Sequence, residues 1–214
     1  MKGLFIAFEG IDYSGKDTQA EKTINWLRRL GYSVNWSNEP NDDEYAGSPF
    51  GHAIRKMLRG KMEKPDDPFE FQRMYVLDRA QDVFCFIRPA LDRGDVYIIV
   101  RYGLSTIAYG MISGEPPEKF IQLHKDILGP SLIWPDVIIL IDISAEEAMR
   151  RLGRTKNDPQ FFKKKEKIEK VRQNYLSLVN HPEFQNHPII IVNGEQSEDG
   201  VFESIKEILI PKKE

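Results

Sequence analysis

Three short runs, at residues 4–8, 96–100 and 137–141, are almost wholly apolar and rich in β-branched or aromatic side chains. They lack the polar alternation of a half-exposed strand, which is the pattern of strands covered on both faces. Residues 32–35 and 188–192 are two further strand candidates. Between these runs the apolar positions recur at helical spacing. Over 16–30 the apolar side chains are Ala20, Ile24, Trp26, Leu27 and Leu30, and Gly31 follows where a helix stop is expected. A long helix is predicted over 67–91 with Pro68 in its first turn, and others over 146–152, 163–179 and 197–209. Residues 38–48 and 153–160 are polar breaks. Strands alternating with helices imply βαβ units and a parallel sheet with helices on both faces.

The chain has 214 residues, 41% of them hydrophobic and 29% charged. That suits one α/β domain over 1–214 with a sizeable core. A formal net charge of −3 speaks against a broad nucleic-acid-binding face, though not against a small basic pocket. No apolar run approaches the roughly 20 residues that span a bilayer, so no membrane association is expected. The single cysteine, Cys85, cannot form an internal disulfide or a multi-cysteine zinc site, which fits a cytoplasmic protein. Its apolar neighbours, Phe84 and Phe86, predict a packed thiol. The four histidines, His52, His124, His181 and His187, lack the spacing of zinc ligands.

Directly after the first strand stands Gly10-Ile11-Asp12-Tyr13-Ser14-Gly15-Lys16-Asp17-Thr18. The Gly-x4-Gly-Lys spacing between a strand and a helix is that of a loop that cradles phosphates. Glycines let successive N–H groups point into one concavity, and the helix adds its positive end. Lys16 would reach the terminal phosphates as a compact point charge. Where such loops carry Ser or Thr, whose hydroxyl ligates Mg²⁺, this chain has Asp17. Its carboxylate is a hard-oxygen donor suited to Mg²⁺. It also adds negative charge beside a polyphosphate, so Asp17 either holds the metal, directly or through water, or weakens nucleotide binding. The purely structural alternative is a first-turn acid satisfied by the helix dipole.

Several other segments, in order along nearly the whole chain, carry a resemblance. They are Phe8-Glu9-Gly10-Ile11-Asp12 with Gly15-Lys16 and Thr18-Gln19, then Glu39-Pro40, Ser48-Pro49-Phe50-Gly51 through Arg55, and Tyr75 through Gln81. Arg101-Tyr102 with Leu104-Ser105-Thr106 and Ala108-Tyr109, Pro135-Asp136, and Val171 through Leu176 follow. Together these resemble the thymidylate kinases. The resemblance implies a three-layer P-loop kinase fold, with a five-stranded parallel sheet flanked by helices and a small lid segment at about 150–162. It implies transfer of the γ-phosphoryl group of ATP to dTMP with Mg²⁺, and a homodimer formed through the helical face, for which the helix at 67–91 is the candidate.

Carried over by position, the donor would be held by Gly10, Asp12, Tyr13, Ser14, Gly15, Lys16, Asp17 and Thr18, with Arg151 near the adenine. In the acceptor pocket Tyr75 would stack on thymine and Arg79 would meet its carbonyl edge. Ser105 would contact the base, Asp12 the 3′-hydroxyl and Arg55 the monophosphate, while Tyr109 would crowd the 2′ position. Glu39 and Pro40 would border the same pocket. Lys16, Arg101 and Arg154 would spread charge during transfer. Taken singly, Tyr75 reads as a core residue, Arg55 as a solvated helix arginine and Arg79 beside Asp78 as a surface pair.

The chain departs from the family pattern at Val100, where the family has Asp before Arg101, at Tyr13, and in the lid, where Arg150, Arg151, Arg154 and Lys156 stand without the usual Asp-Arg-x-Glu run. The lost acid at 100 and the added one at 17 suggest that a metal-facing carboxylate has moved across the site. A kinase for another deoxynucleoside monophosphate and a catalytically silent nucleotide-binding protein are the two rival readings.

Overall fold

The computed structural model describes residues 3–41, 47–153 and 161–209, the side chains at 161 and 162 excepted. Five strands, β1 (Leu4–Glu9), β2 (Val34–Asn38), β3 (Val96–Val100), β4 (Val137–Asp142) and β5 (Ile189–Asn193), form one sheet in the order β2-β3-β1-β4-β5. All pairings are parallel, with Phe8 opposite Val100 and Glu9 opposite Leu140. The two-residue period of a strand splits each apolar run between two cores. Ile6, Phe8, Ile98 and Val100 pack with α1 (Lys16–Arg29) and α9 (Glu198–Leu209). Phe5, Ala7, Tyr97 and Ile99 pack on the other face against α3 (Pro68–Asp82), α5 (Gly103–Gly110), α6 (Pro117–Leu128) and α8 (Phe161–Leu178). Both faces are covered, which is why these strands read as continuous hydrophobic runs.

The remaining helices are α2 (Pro49–Leu58), α4 (Arg88–Asp92) and α7 (Ala145–Arg151). The chain leaves β1 for β2 on one side and later leaves β3 for β4 on the other. The carboxyl ends of β1 and β3 therefore flank a topological switch point, where open α/β sheets bind ligands. Gly10 and Arg101 lie there.

Three expectations are corrected. The helix predicted over 67–91 is interrupted by a π-helical turn at Val83–Ile87, in which the Arg88 N–H bonds to the Val83 carbonyl five residues back. Pro89 explains it: with no N–H it cannot bond to the Cys85 carbonyl, and its ring crowds that oxygen. The wide turn brings Phe84 and Cys85 to the surface, so the thiol is exposed rather than packed. The second strand lies at Val34–Asn38 rather than 32–35, because Tyr32 is exposed and this edge strand, which buries Val34 alone, carries no continuous hydrophobic run to mark its extent. The helices α5 and α6 were not foreseen. At α2, Ser48 caps the first turn by accepting the Gly51 N–H at 2.9 Å. A Cβ on Gly51 would stand 2.0 Å from the Asn41 carbonyl oxygen, so glycine lets this helix seat against the segment after β2.

Candidate active site

The phosphate loop is built by backbone conformation first. Gly10 has φ 144° and a Cβ there would meet the Ile141 carbonyl oxygen at 2.5 Å; Tyr13 and Gly15 are also left-handed, at φ 67° and 92°. A tyrosine in that region carries strain, which concentrates at functional sites. The first turn of α1 has no side-chain cap, so its N–H groups face a cavity of about 560 Å³ unclaimed by the protein's own side chains. The Ser14 hydroxyl is buried at the loop without a hydrogen-bond partner. Lys16 is buried, with Nζ 3.4 Å from the Ile11 carbonyl oxygen and 3.5 Å from Asp17 Oδ2. Burial lowers the Lys16 pKa to about 8, and the charge of Arg101 acts in the same direction. An uncapped helix, an orphaned hydroxyl and a desolvated ammonium around one hollow are what a polyphosphate satisfies.

Asp17 and Thr18 line the cavity from exposed positions, with the Asp17 side chain 74% exposed. Among the described residues there is no cluster of three His, Cys, Asp or Glu side chains that could hold a metal by themselves. Mg²⁺ in phosphoryl-transfer sites takes only one or two carboxylates, with phosphate and water completing its shell. Asp17 at the cavity wall meets that requirement. Val100 packs in the apolar layer with Phe8 and Ala20.

Arg151 ties three segments together. Its Nε donates to Glu147 at 2.7 Å, Nη1 to the carbonyls of Tyr13 and Ser14 at 3.2 and 3.1 Å, and Nη2 to the Gly194 carbonyl at 2.7 Å. Four of its five N–H donors are thereby engaged. The edge of its guanidinium is thus largely committed to the protein.

Across the loop, Arg101 follows β3 with φ 63°. Its Nη1 approaches the Gly10 carbonyl, Ser105 Oγ and Tyr175 Oη at 3.3, 3.3 and 3.4 Å, and its Nη2 pairs with Asp12. Beneath it Glu9 is fully buried and accepts from the Tyr102 and Ser105 N–H groups and the Ser105 and Tyr175 hydroxyls. Burial raises the Glu9 pKa despite these donors. Ser105 Oγ is thus committed to holding the strand-to-helix junction, while Ser105 also lines a second cavity.

A second cavity, of about 740 Å³, opens beyond Arg101 and includes Arg55, Tyr75, Arg79, Ser105 and Tyr109 in its wall, with Lys164 and Lys167 of α8. Asp12 lines both cavities. Tyr75 stands edge-on to Phe71, and Tyr109 lies under the Arg101 guanidinium at 5.4 Å. Burial raises the pKa of both phenols. Arg55 donates to the Pro40 carbonyl at 2.9 Å. Arg79 is no surface pair with Asp78: it is 0% exposed and forks onto Glu39, which is 4% exposed, while Asp78 accepts from the Asn41 N–H and the Ser48 hydroxyl. Burial pushes the Glu39 pKa up to about 8 against the pull of Arg79. Arg79 also donates to Thr106 and meets His124, and its guanidinium lies 4.6 Å from the Tyr102 ring. Glu9, Thr106, His124 and Tyr175 are the members of this arrangement to which the sequence reading gave no role. Arg154, with Lys156 and Asn157-Asp158-Pro159, lies outside the described residues.

A family model described as thymidylate kinase matches residues 8–205. A probable thymidylate kinase of Thermococcus gammatolerans is 33% identical over 210 residues, which cover 95% of this chain and 94% of that protein. A thymidylate kinase of Maridesulfovibrio salexigens is 33% identical, covering 95% and 93%, and one of Prochlorococcus marinus is 37% identical, covering 84% and 82%.

Proposed function

Because the chain belongs to the thymidylate kinase family, we propose that it transfers the γ-phosphoryl group of ATP to dTMP, giving dTDP and ADP with Mg²⁺. The observation that carries this reading is the Asp12–Arg101 pair between the two cavities. Donor and acceptor phosphates approaching from either side would meet at that pair, whose two charges both act on the Lys16 ammonium. Phosphoryl transfer asks mainly for such alignment and charge compensation.

On the donor side, the loop from Gly10 to Thr18 holds the phosphates and Arg151 faces the adenine. On the acceptor side, Tyr75 stacks on the base, Arg79 donates to its carbonyl edge and Arg55 meets the monophosphate. Glu39 and Pro40 orient the two arginines. Asp12 meets the 3′-hydroxyl, Ser105 lines the base end and Tyr109 fills the space a 2′-hydroxyl needs. Asp17 is the residue that would hold Mg²⁺, which supplies charge neutralisation between the phosphates when bound. Arg154 remains the proposed lid arginine, in a lid at about 150–162 of a single domain over 1–214. We assign the protein to the cytoplasm as a homodimer. The exposed Phe84 on the helical face supports that assembly.

The test is ADP formation from ATP and Mg²⁺ with dTMP, dUMP, dCMP, dGMP, AMP and UMP offered separately. Turnover confined to dTMP, or to dTMP and dUMP, is expected. ATP binding without turnover of any acceptor would make this a silent nucleotide-binding protein. Asp17→Ser is expected to raise the Mg²⁺ concentration for half-maximal rate severalfold. An unchanged Mg²⁺ dependence and rate would end the idea that a carboxylate has moved from position 100 to 17.

A further inference from the structure

Building on the acceptor site of the preceding reading, we propose that His124 is a positioning residue: its Nε2 takes one N–H of Arg79 and so holds this donor-only guanidinium in one orientation, which sharpens the site's discrimination between a ring carbonyl and a ring amine.

Arg79 has five N–H donors. Nε donates to Glu39 Oε1 at 3.0 Å, and Nη2 donates to Glu39 Oε2 and, at 3.1 Å, to Thr106 Oγ1. One hydrogen of Nη1 faces His124 Nε2. The second hydrogen of Nη1 is not used by these contacts, and Arg79, though 0% exposed to water, forms part of the wall of the second cavity.

The tautomer of His124 follows from its partners. Nδ1 lies 2.7 Å from the Phe120 carbonyl oxygen, which can only accept, so Nδ1 carries the hydrogen and Nε2 is bare. Nε2 faces a guanidinium, which can only donate. Burial and the Arg79 charge both hold the imidazole neutral, as this arrangement requires. The ring has no room to turn away. It is 0% exposed, its centroid is 5.2 Å from that of Trp134, and a Cβ on Gly103 would lie 3.2 Å from Nε2. His124 therefore stands behind Arg79 as a fixed acceptor, 45 residues away in sequence.

A fixed donor that cannot accept suits the 4-oxo group of thymine or uracil and opposes the 4-amino group of cytosine, where two donors would face each other. With an apolar side chain at 124, Nη1 loses its protein partner, and Glu39 and Thr106, which hold Nε and Nη2, are left to set the guanidinium's orientation. A buried donor left unpaired corresponds to a change of about 10–100-fold in an equilibrium.

The experiment compares kcat and KM for dTMP and dCMP at saturating ATP in the wild type, His124→Phe and His124→Gln. A glutamine Oε1 can reach the position of Nε2 and accept the same hydrogen. The Phe variant is expected to lose about 10–100-fold in kcat/KM for dTMP, mostly in KM, and at least about tenfold in preference for dTMP over dCMP. The Gln variant is expected to stay within about threefold of wild type, and KM for ATP to be unchanged in both. If the Phe variant shows no cooperative melting transition, His124→Met carries the same comparison. Equal losses in the apolar and Gln variants, or a fall in kcat with the dTMP preference intact, overturn the proposal while leaving the kinase reading in place. Absence of dTMP turnover in the wild type overturns both.

Discussion

Replacing Lys16 by methionine is expected to lower kcat by at least about 10²–10³-fold, the loss that follows removal of one preorganised charge or donor at a developing anion. The fold should survive. Among the described residues the Lys16 ammonium makes direct polar contact with the Ile11 carbonyl and the exposed Asp17 carboxylate, and methionine fills the buried stem with similar volume. A lysine that served only to pack the start of α1 would tolerate this exchange with activity within a few-fold of wild type, and that result would remove Lys16 from the chemistry. The pH dependence offers an independent check. With its pKa lowered to about 8, the ammonium is charged below that pH and increasingly neutral above it. The charged form attracts phosphate, so kcat/KM for ATP should fall about tenfold per unit above pH 8 in the wild type and show no such limb in the Met variant. Bound phosphate favours the ammonium, so the corresponding limb in kcat should lie at higher pH. Burial is the larger cause of the shift, with Arg101 second, and nearby Asp17, Asp12 and Glu9 oppose it.

The parts of this molecule that could be read from sequence are those whose determinants are contiguous. The strands β1, β3 and β4 are covered on both faces, so their hydrophobic runs admit little else. The edge strand β2 carries Trp36, Ser37 and Asn38, and its polar alternation hid its true extent. Helix α5 is buried nearly all round, so it shows no amphipathic period, whereas α6 carries one in Phe120, Ile121, His124 and Leu128 that went unread behind Pro116-Pro117. The phosphate loop was legible because its concavity is made by neighbouring residues. The acceptor side was named through resemblance, yet its arrangement was not legible. Glu39, Arg79 and His124 come from a strand end and two helices, and each alone looks like an ordinary helical or loop polar residue. Asp78, adjacent to Arg79 in sequence, suggested a surface pair, but the helix points it instead at Ser48 and Asn41.

That three-segment arrangement makes Glu39→Ala the substitution expected to cost most in stability, about 3–5 kcal/mol. The side chains of the pair are 2% and 0% exposed, and removing the carboxylate leaves the Arg79 cation buried without its counter-charge. Arginine cannot shed its proton to escape, as a buried lysine can. For a chain of this size the loss corresponds to a fall in Tm on the order of 6–20 °C. The thermodynamic and functional roles of the pair are separable. Converting both partners to apolar residues of similar volume, Glu39→Leu with Arg79→Met, removes the stranded charge, so this double variant is expected to melt well above Glu39→Ala. Some loss should persist because Thr106 and His124 keep acceptors that Arg79 formerly satisfied. The double variant has no guanidinium to offer a base, so its KM for dTMP should rise by at least about tenfold whatever its Tm, while KM for ATP holds. If Glu39→Ala instead melts within 1–2 °C of wild type, Arg79 has found solvent or another anion, and the guanidinium is not locked. Chemical denaturation of the wild type, Glu39→Leu, Arg79→Met and the double variant closes the cycle and yields the coupling between Glu39 and Arg79 without assuming that either residue acts alone.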